Sequence, residues 1–186
     1  EASAVIDECR RLGRSDAESD QVRKHDGDDV PSILIASPVR QKPAILKEFL
    51  TGLTRLNTSS DIGRGSDWTP AAPAMSLDFL FADDNQDPES ATLLREFKPP
   101  SGRVFVCPVT PDGVAYHCDD VTHKWSGDLM EKVGTIKDFM IEFAIQRGYD
   151  YLFLADSDLV LHPNTLERLL WTDRDIVSEV FWTKWQ

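Results

Sequence analysis

The triplet Asp156-Ser157-Asp158 stands between two apolar runs, Tyr151-Leu152-Phe153-Leu154-Ala155 and Leu159-Val160-Leu161. In extended backbone the two carboxylates project to the same side, about 6.5 Å apart along the strand. Apolar flanks place them where a buried strand ends, and unpaired charge there is costly. A hard divalent cation, which takes oxygen ligands, removes that cost, so Asp156 and Asp158 are the candidate metal ligands. The chemistry this suggests is a metal-assisted reaction on a phosphate-bearing substrate. The plainer reading is a helix cap or a satisfied structural carboxylate, but Asn164, directly before Thr165, is the better cap for the helix that follows.

Two more polar turns follow apolar runs: Ser37-Pro38-Val39-Arg40 and Asp83-Asp84-Asn85. Asp83 or Asp84 can accept hydrogen bonds from a base N–H or a ribose hydroxyl. Against this stands a simple polar turn before the next helix, since Asp and Asn favour turns.

The elements that must position these turns alternate in type. Ser32 to Ala36 reads as a short strand broken by Ser37-Pro38. After Pro43, Ile45, Leu46, Phe49, Leu50, Leu53 and Leu56 recur at helical steps, with the proline in the first turn. The span 57–74 reads as a long surface loop. Leu77 to Ala82 is a second strand, Ser90 to Phe97 a helix stopped by Pro99-Pro100, and Arg103 to Cys107 a third strand. The span 108–125 is irregular. Val133, Ile136, Phe139, Met140 and Phe143 mark a long helix that Gly148 closes. The Tyr151 strand, a helix from Asn164 to Leu170 and a last strand from Asp175 to Trp182 complete the pattern. Strands alternating with helices predict an α/β fold with a mostly parallel sheet flanked by helices. Parallel strands end on one side, so the three turns share a crevice beyond their carboxyl ends.

The chain has 186 residues and a net charge of −12. That balance argues against broad nucleic-acid binding, which needs a basic surface, but not against a nucleotide, because one cation reverses the sign locally. Cys9, Cys107 and Cys118 are too few for a disulfide framework. No apolar run has the length of a membrane-spanning helix and the start lacks a signal-peptide pattern, so a cytoplasmic protein is expected. Residues 1–30 carry nine acids against five Lys or Arg and read as a flexible or loosely docked extension. Residues 31–186 form the folded domain. His117-Cys118-Asp119-Asp120-Val121-Thr122-His123 has the wrong spacing for structural zinc and reads as a polar loop. No glycine-rich phosphate loop is present.

These turns, in this order, resemble the nucleotide-binding half of a GT-A-fold glycosyltransferase, the family-2 inverting enzymes above all. Ile35 to Pro43 is similar to the family's opening strand, proline-containing turn and first helix. Phe81-Ala82-Asp83-Asp84-Asn85 is similar to its base-holding acidic pair. Asp156-Ser157-Asp158, with Pro163 and Leu166 beyond, looks like its DxD motif. The resemblance spans about 32–182. It implies a nucleotide-diphosphate sugar as donor, Mg²⁺ or Mn²⁺ as cofactor, and an unidentified acceptor hydroxyl. Pro38, Val39, Arg40, Asp83, Asp84 and Asp156 are the implied nucleotide-binding residues, and Asp156 and Asp158 the implied metal ligands, Asp158 directly. A carboxylate and a phosphate oxygen about 4 Å apart repel by roughly 4 kcal/mol at an effective dielectric near 20, so a bridging cation is needed. Arg40 and Lys137 are candidates to assist at base or phosphates, against a reading as solvated surface charges.

An inverting transferase also needs a carboxylate base for the acceptor hydroxyl. The family's base lies well downstream of the DxD motif, whereas 28 residues follow Asp158 here, with Glu179 the one acid within the last expected strand after its first residue, Asp175. The acceptor half is therefore expected to be missing, in a fragment of a longer enzyme or in a domain that only binds its donor. Phe181, Trp182 and Trp185 call for further chain or an oligomer to cover them. A nucleotidyltransferase of related fold is the main alternative, but Ser37 to Lys42 lacks the glycine-rich turn such enzymes use.

Overall fold

The computed structural model describes residues 30–58, 74–114, 117–118 and 123–178. In chain order the elements are β1 (Ser32–Val39), α1 (Pro43–Thr54), β2 (Ser76–Asp83), α2 (Pro88–Glu96), β3 (Val104–Pro108), β4 (His117–Cys118), β5 (His123–Lys124), α3 (Gly127–Gln146), β6 (Tyr151–Leu154) and α4 (Thr165–Leu170). Four strands form one sheet in the order β3-β2-β1-β6, and every pairing is parallel. The β4–β5 pair is a separate antiparallel ladder inside the span expected to be irregular.

Helices cover both faces, which is why β1 is apolar almost throughout instead of alternating. Ile33, Ile35, Val39, Phe79 and Phe81 face Leu46, Phe49 and Leu53 of α1, Leu94 of α2 and Leu166 of α4. Leu34, Ala36, Leu80, Ala82 and Cys107 face Ile136, Phe139, Met140 and Phe143 of α3. Phe97 closes the first layer edge-on against Phe79 and Phe81, with ring centroids 5.5 and 5.6 Å away. The chain winds outward from β1 to β3 and then crosses by α3 to β6, on the far side of β1. Strand order therefore reverses between β1 and β6, and in such sheets ligands bind at that point.

Several expectations change in detail. Ser37-Pro38 does not break β1, which continues to Val39 opposite Asp83. Ala36 O accepts from Ala155 N at 3.0 Å, so Ala36 faces β6, and Pro38, two residues on, points the same way past the end of that ladder. Its missing N–H thus costs no hydrogen bond. The helices begin where proline and capping chemistry put them. Pro43 opens α1, Asp87 accepts from Glu89 N and Ser90 N ahead of Pro88 in α2, and the Ser126 side chain accepts from Leu129 N at the start of α3. Gly148, with φ of 69°, follows the end of α3 as expected. Asn164 precedes α4 but makes no side-chain cap, because its Oδ1 accepts from Asn57 Nδ2 instead. The last expected strand is not formed over 175–178, where Ile176 is 93% exposed, and its remainder lies outside the described residues. Most of the expected loop over 57–74, the extension over 1–29, Glu179, Trp182 and Trp185 also lie outside them.

The sheet's amino-terminal edge is held by partly buried polar bonds. Asp150 Oδ2 accepts from Ser32 N at 2.8 Å and Ser32 Oγ at 2.7 Å, aligning β6 with β1. Asp78, 2% exposed, accepts from Arg103 N, Nε and Nη2 at 2.7, 3.1 and 2.9 Å and from the Tyr149 hydroxyl at 2.6 Å. Burial, reinforced by the Asp78 charge, pushes the Tyr149 phenol well above its ordinary range. Gly102, with φ of 91°, makes the turn into β3, and a Cβ there would lie 1.8 Å from Leu77 O.

Candidate functional site

Backbone bonds tie the turns at the carboxyl edge to one another. Asp84 N donates to Val39 O at 2.9 Å, and Val109 N donates to Asp83 O at 2.9 Å, so the ends of β1, β2 and β3 form one rim. Gln41 N donates to Asn85 Oδ1 at 2.9 Å, fixing the entry to α1 against the β2 turn. The structure thus brings together the expected Pro38, Val39, Arg40, Asp83 and Asp84.

Strand alternation separates the acidic pair. Phe79 and Phe81 face the α1 layer, and Asp83 continues that face, where its Oδ1 accepts from Asn85 N at 3.1 Å and Asn85 Nδ2 at 2.7 Å. Asp84 continues the other face, toward α3. There Lys132 Nζ donates to its Oδ1 at 2.9 Å, and Arg40 Nη1 lies 3.5 Å from its Oδ2. Lys132 also donates to Asp112 Oδ1 at 3.0 Å, and Arg40 Nη1 to Val114 O at 3.1 Å. The Lys132 side chain is 5% exposed and that of Arg40 18%, so Arg40 is not the solvated surface charge of the plainer reading. Burial alone would raise the Asp112 carboxyl. The Val114 N–H and the Lys132 ammonium outweigh it and hold the group below its ordinary value.

At the end of β6 the triplet does not continue the strand. The ladder stops at Leu154, and Asp156 to Leu159 forms a turn in which Leu159 N donates to Asp156 O at 3.3 Å. The same-side, fully extended geometry expected for Asp156 and Asp158 is therefore corrected to a turn. Buried Ala155 and Ser157 alternate with exposed Asp156 and Asp158, so the backbone is pegged while both carboxylates stay in water. The Asp156 side chain is 65% exposed, with Lys137 Nζ 3.3 Å from its Oδ1. Burial therefore does not compel a metal here, because β6 ends the sheet among the described residues and its turn projects outward. The stretch after the turn is fixed by Gly52 of α1, which approaches Leu161 N, and by Asn57 N donating to Pro163 O at 3.0 Å.

Sequence reasoning missed Lys132 and Asp112. The signal for Lys132 was present, because it falls on the Leu129, Ile136, Phe143 face of α3, where a buried cation requires carboxylate partners. Asp112 lies in an irregular stretch without periodicity and had no such signal.

The edge thus carries Arg40, Lys132 and Lys137 among the carboxylates Asp83, Asp84, Asp112, Asp156 and Asp158. Among the described residues no group of three or more His, Cys, Asp or Glu converges on a common point. Two exposed oxygen donors in one turn still fit a divalent cation that keeps waters and shares phosphate oxygens, as Mg²⁺ does. Among the described residues no helix is long and apolar enough to cross a membrane. Searches against family models, curated proteins and solved structures find no match to this chain.

Proposed function

We propose that this chain is the donor-binding, GT-A-like part of a divalent-metal-dependent, inverting glycosyltransferase acting in the cytoplasm on a nucleotide-diphosphate sugar. The observation that carries this reading is the gathering of the acidic turns after β2 and β6 and three basic side chains at the edge where strand order reverses. Asp83 is the better base or ribose acceptor of the acidic pair, because both oxygens of Asp84 already face a cation. Arg40 and Lys132 lie on the α3 side of the rim, suited to phosphate oxygens, and Lys137 sits beside Asp156.

Asp158, with Asp156, would hold the Mg²⁺ or Mn²⁺, which when bound supplies Lewis-acid stabilisation of the departing diphosphate. In transfer, an acceptor oxygen bonds to the anomeric carbon as the bond to the diphosphate breaks, and the acceptor proton passes to a carboxylate base. Glu179 is the candidate for that base.

Thermal unfolding against UDP, GDP, ADP and CDP, each with and without Mn²⁺ or Mg²⁺, tests the proposal. One nucleotide at about a hundred times its Kd is expected to raise the midpoint by roughly 5–10 °C, and only with the cation. An equal rise without cation removes the metal from the reading, and no rise with any nucleotide removes the donor site. Binding without donor hydrolysis or transfer favours a domain that only binds nucleotide.

A further inference from the structure

Beyond the end of β3, the chain over 109–114 bends back over Lys132. Its base is anchored by buried Val109, whose N–H donates to Asp83 O at 2.9 Å. Its tip is exposed and turns on Gly113, whose φ is 75° and whose missing Cβ would meet open space. Val114 N donates to Asp112 Oδ1 at 2.9 Å within the tip itself. The tip is tied to the rim by two cations, Lys132 to Asp112 and Arg40 to Val114 O.

A carboxylate on a cation at a phosphate-suited rim is an anion standing where another anion would go. We infer that Lys132 is a phosphate-binding residue, and that Asp112 holds its place until a ligand's phosphate oxygen displaces it and frees the 109–114 tip. The inference rests on the donor-binding reading for the identity of the ligand. Exchange is feasible because Lys132 keeps Asp84 at 2.9 Å in both states, so the nearly buried ammonium is never left without a counter-charge. The Asp112 side chain, 24% exposed, returns to water on release at little cost. Arg40 likewise keeps Asp84 when Val114 O departs.

Calorimetry on the whole chain and on D112N, with inorganic pyrophosphate and with the nucleoside diphosphates, tests this. D112N removes the competing charge, while an amide oxygen can still accept from Val114 N. It is expected to bind either probe about three- to tenfold tighter than the parent. Glu131→Gln on the exposed side of α3, which makes the same change in net charge, should give no gain. In the parent, amide exchange over 110–114 should quicken when pyrophosphate binds. Unchanged or weaker binding by D112N, an equal gain in Glu131→Gln, or slower exchange on binding each overturns the inference. If pyrophosphate shows the gain but no nucleoside diphosphate binds, the displacement stands and the donor-site reading falls. If neither probe binds either protein, both fall.

Discussion

Lys132 Nζ stands 2.9 Å from Asp84 Oδ1 and joins α3 to the end of β2, residues 48 positions apart in the chain. Removing a nearly buried cation leaves its partner's charge behind, a change that typically costs roughly 3–5 kcal/mol. Arg40 remains beside Asp84, so Lys132→Met is expected to lower unfolding free energy by about 3 kcal/mol, measured by urea titration. A loss below about 0.5 kcal/mol would show that the pair is solvated in solution.

Asp158 has no hydrogen-bond or ion-pair partner among the described residues, and Asp156 has an exposed lysine. Asp158→Ala should leave the ligand-free midpoint unchanged and remove the cation-dependent part of the nucleotide-induced rise. Asp156→Ala should do the same, with a ligand-free change within about 0.5 kcal/mol. Full cation dependence in the double variant would place the ion elsewhere.

Tyr149 donates to the buried Asp78, and Tyr149→Phe deletes a hydrogen bond to a charged group, expected to cost about 1.5–3 kcal/mol. The phenol's folded value is raised above its ordinary 10.0. Its contribution is therefore complete below pH 10.0 and fades as pH climbs through the raised value. Denaturant titrations above pH 10 should show the parent losing stability with pH, and Tyr149→Phe, less stable throughout, should show a shallower slope.

Asp112 has the opposite sign. Its folded value is lowered from 3.8, so its contribution is complete above that pH and is lost as pH falls through the lowered value. D112N should flatten the acid limb of the stability curve below about pH 4 and leave the neutral region within about 1 kcal/mol of the parent. An acid limb identical in both proteins would mean that the Lys132 contact is not formed in solution.

Gly102 turns with φ of 91° against Leu77 O, where a Cβ would stand 1.8 Å away. Backbone has to move to admit one. Gly102→Ala should cost more than about 1 kcal/mol and lower the thermal midpoint by at least roughly 2 °C. An unchanged midpoint would mean that the turn adapts freely.

Much of the sheet was legible because its signals are local. Its four strands are short apolar runs ending in Pro, Asp or Asn, and Pro43 and Gly148 mark helix ends by their own backbone chemistry, while Pro88 opens α2 two residues ahead of the expected start at Ser90. That the turns after β1, β2 and β6 lie at one edge of the sheet followed from alternation of element types alone, whereas the joining of the end of β3 to that edge did not. What escaped depends on partners distant in sequence. Asn164 is a good cap by composition, but Asn57 takes its side-chain oxygen. Lys132 shares the apolar face of α3, but its carboxylate partners Asp84 and Asp112 come from distant turns. The Asp156 triplet reads as strand because apolar residues flank it on both sides, yet Leu159 turns back because its segment packs against α1.

Pro38 has one more effect. Extending the β1–β6 pairing by one rung would require an N–H at position 38 for Ala155 O, and the imino ring has none. The ring therefore gauges how far β6 runs and sets the point at which Asp156 parts from its neighbour. A residue with an amide hydrogen there would invite the acids into the pleat, both carboxylates on one face with Ser157 on the other, and dissolve the turn that now holds them in water.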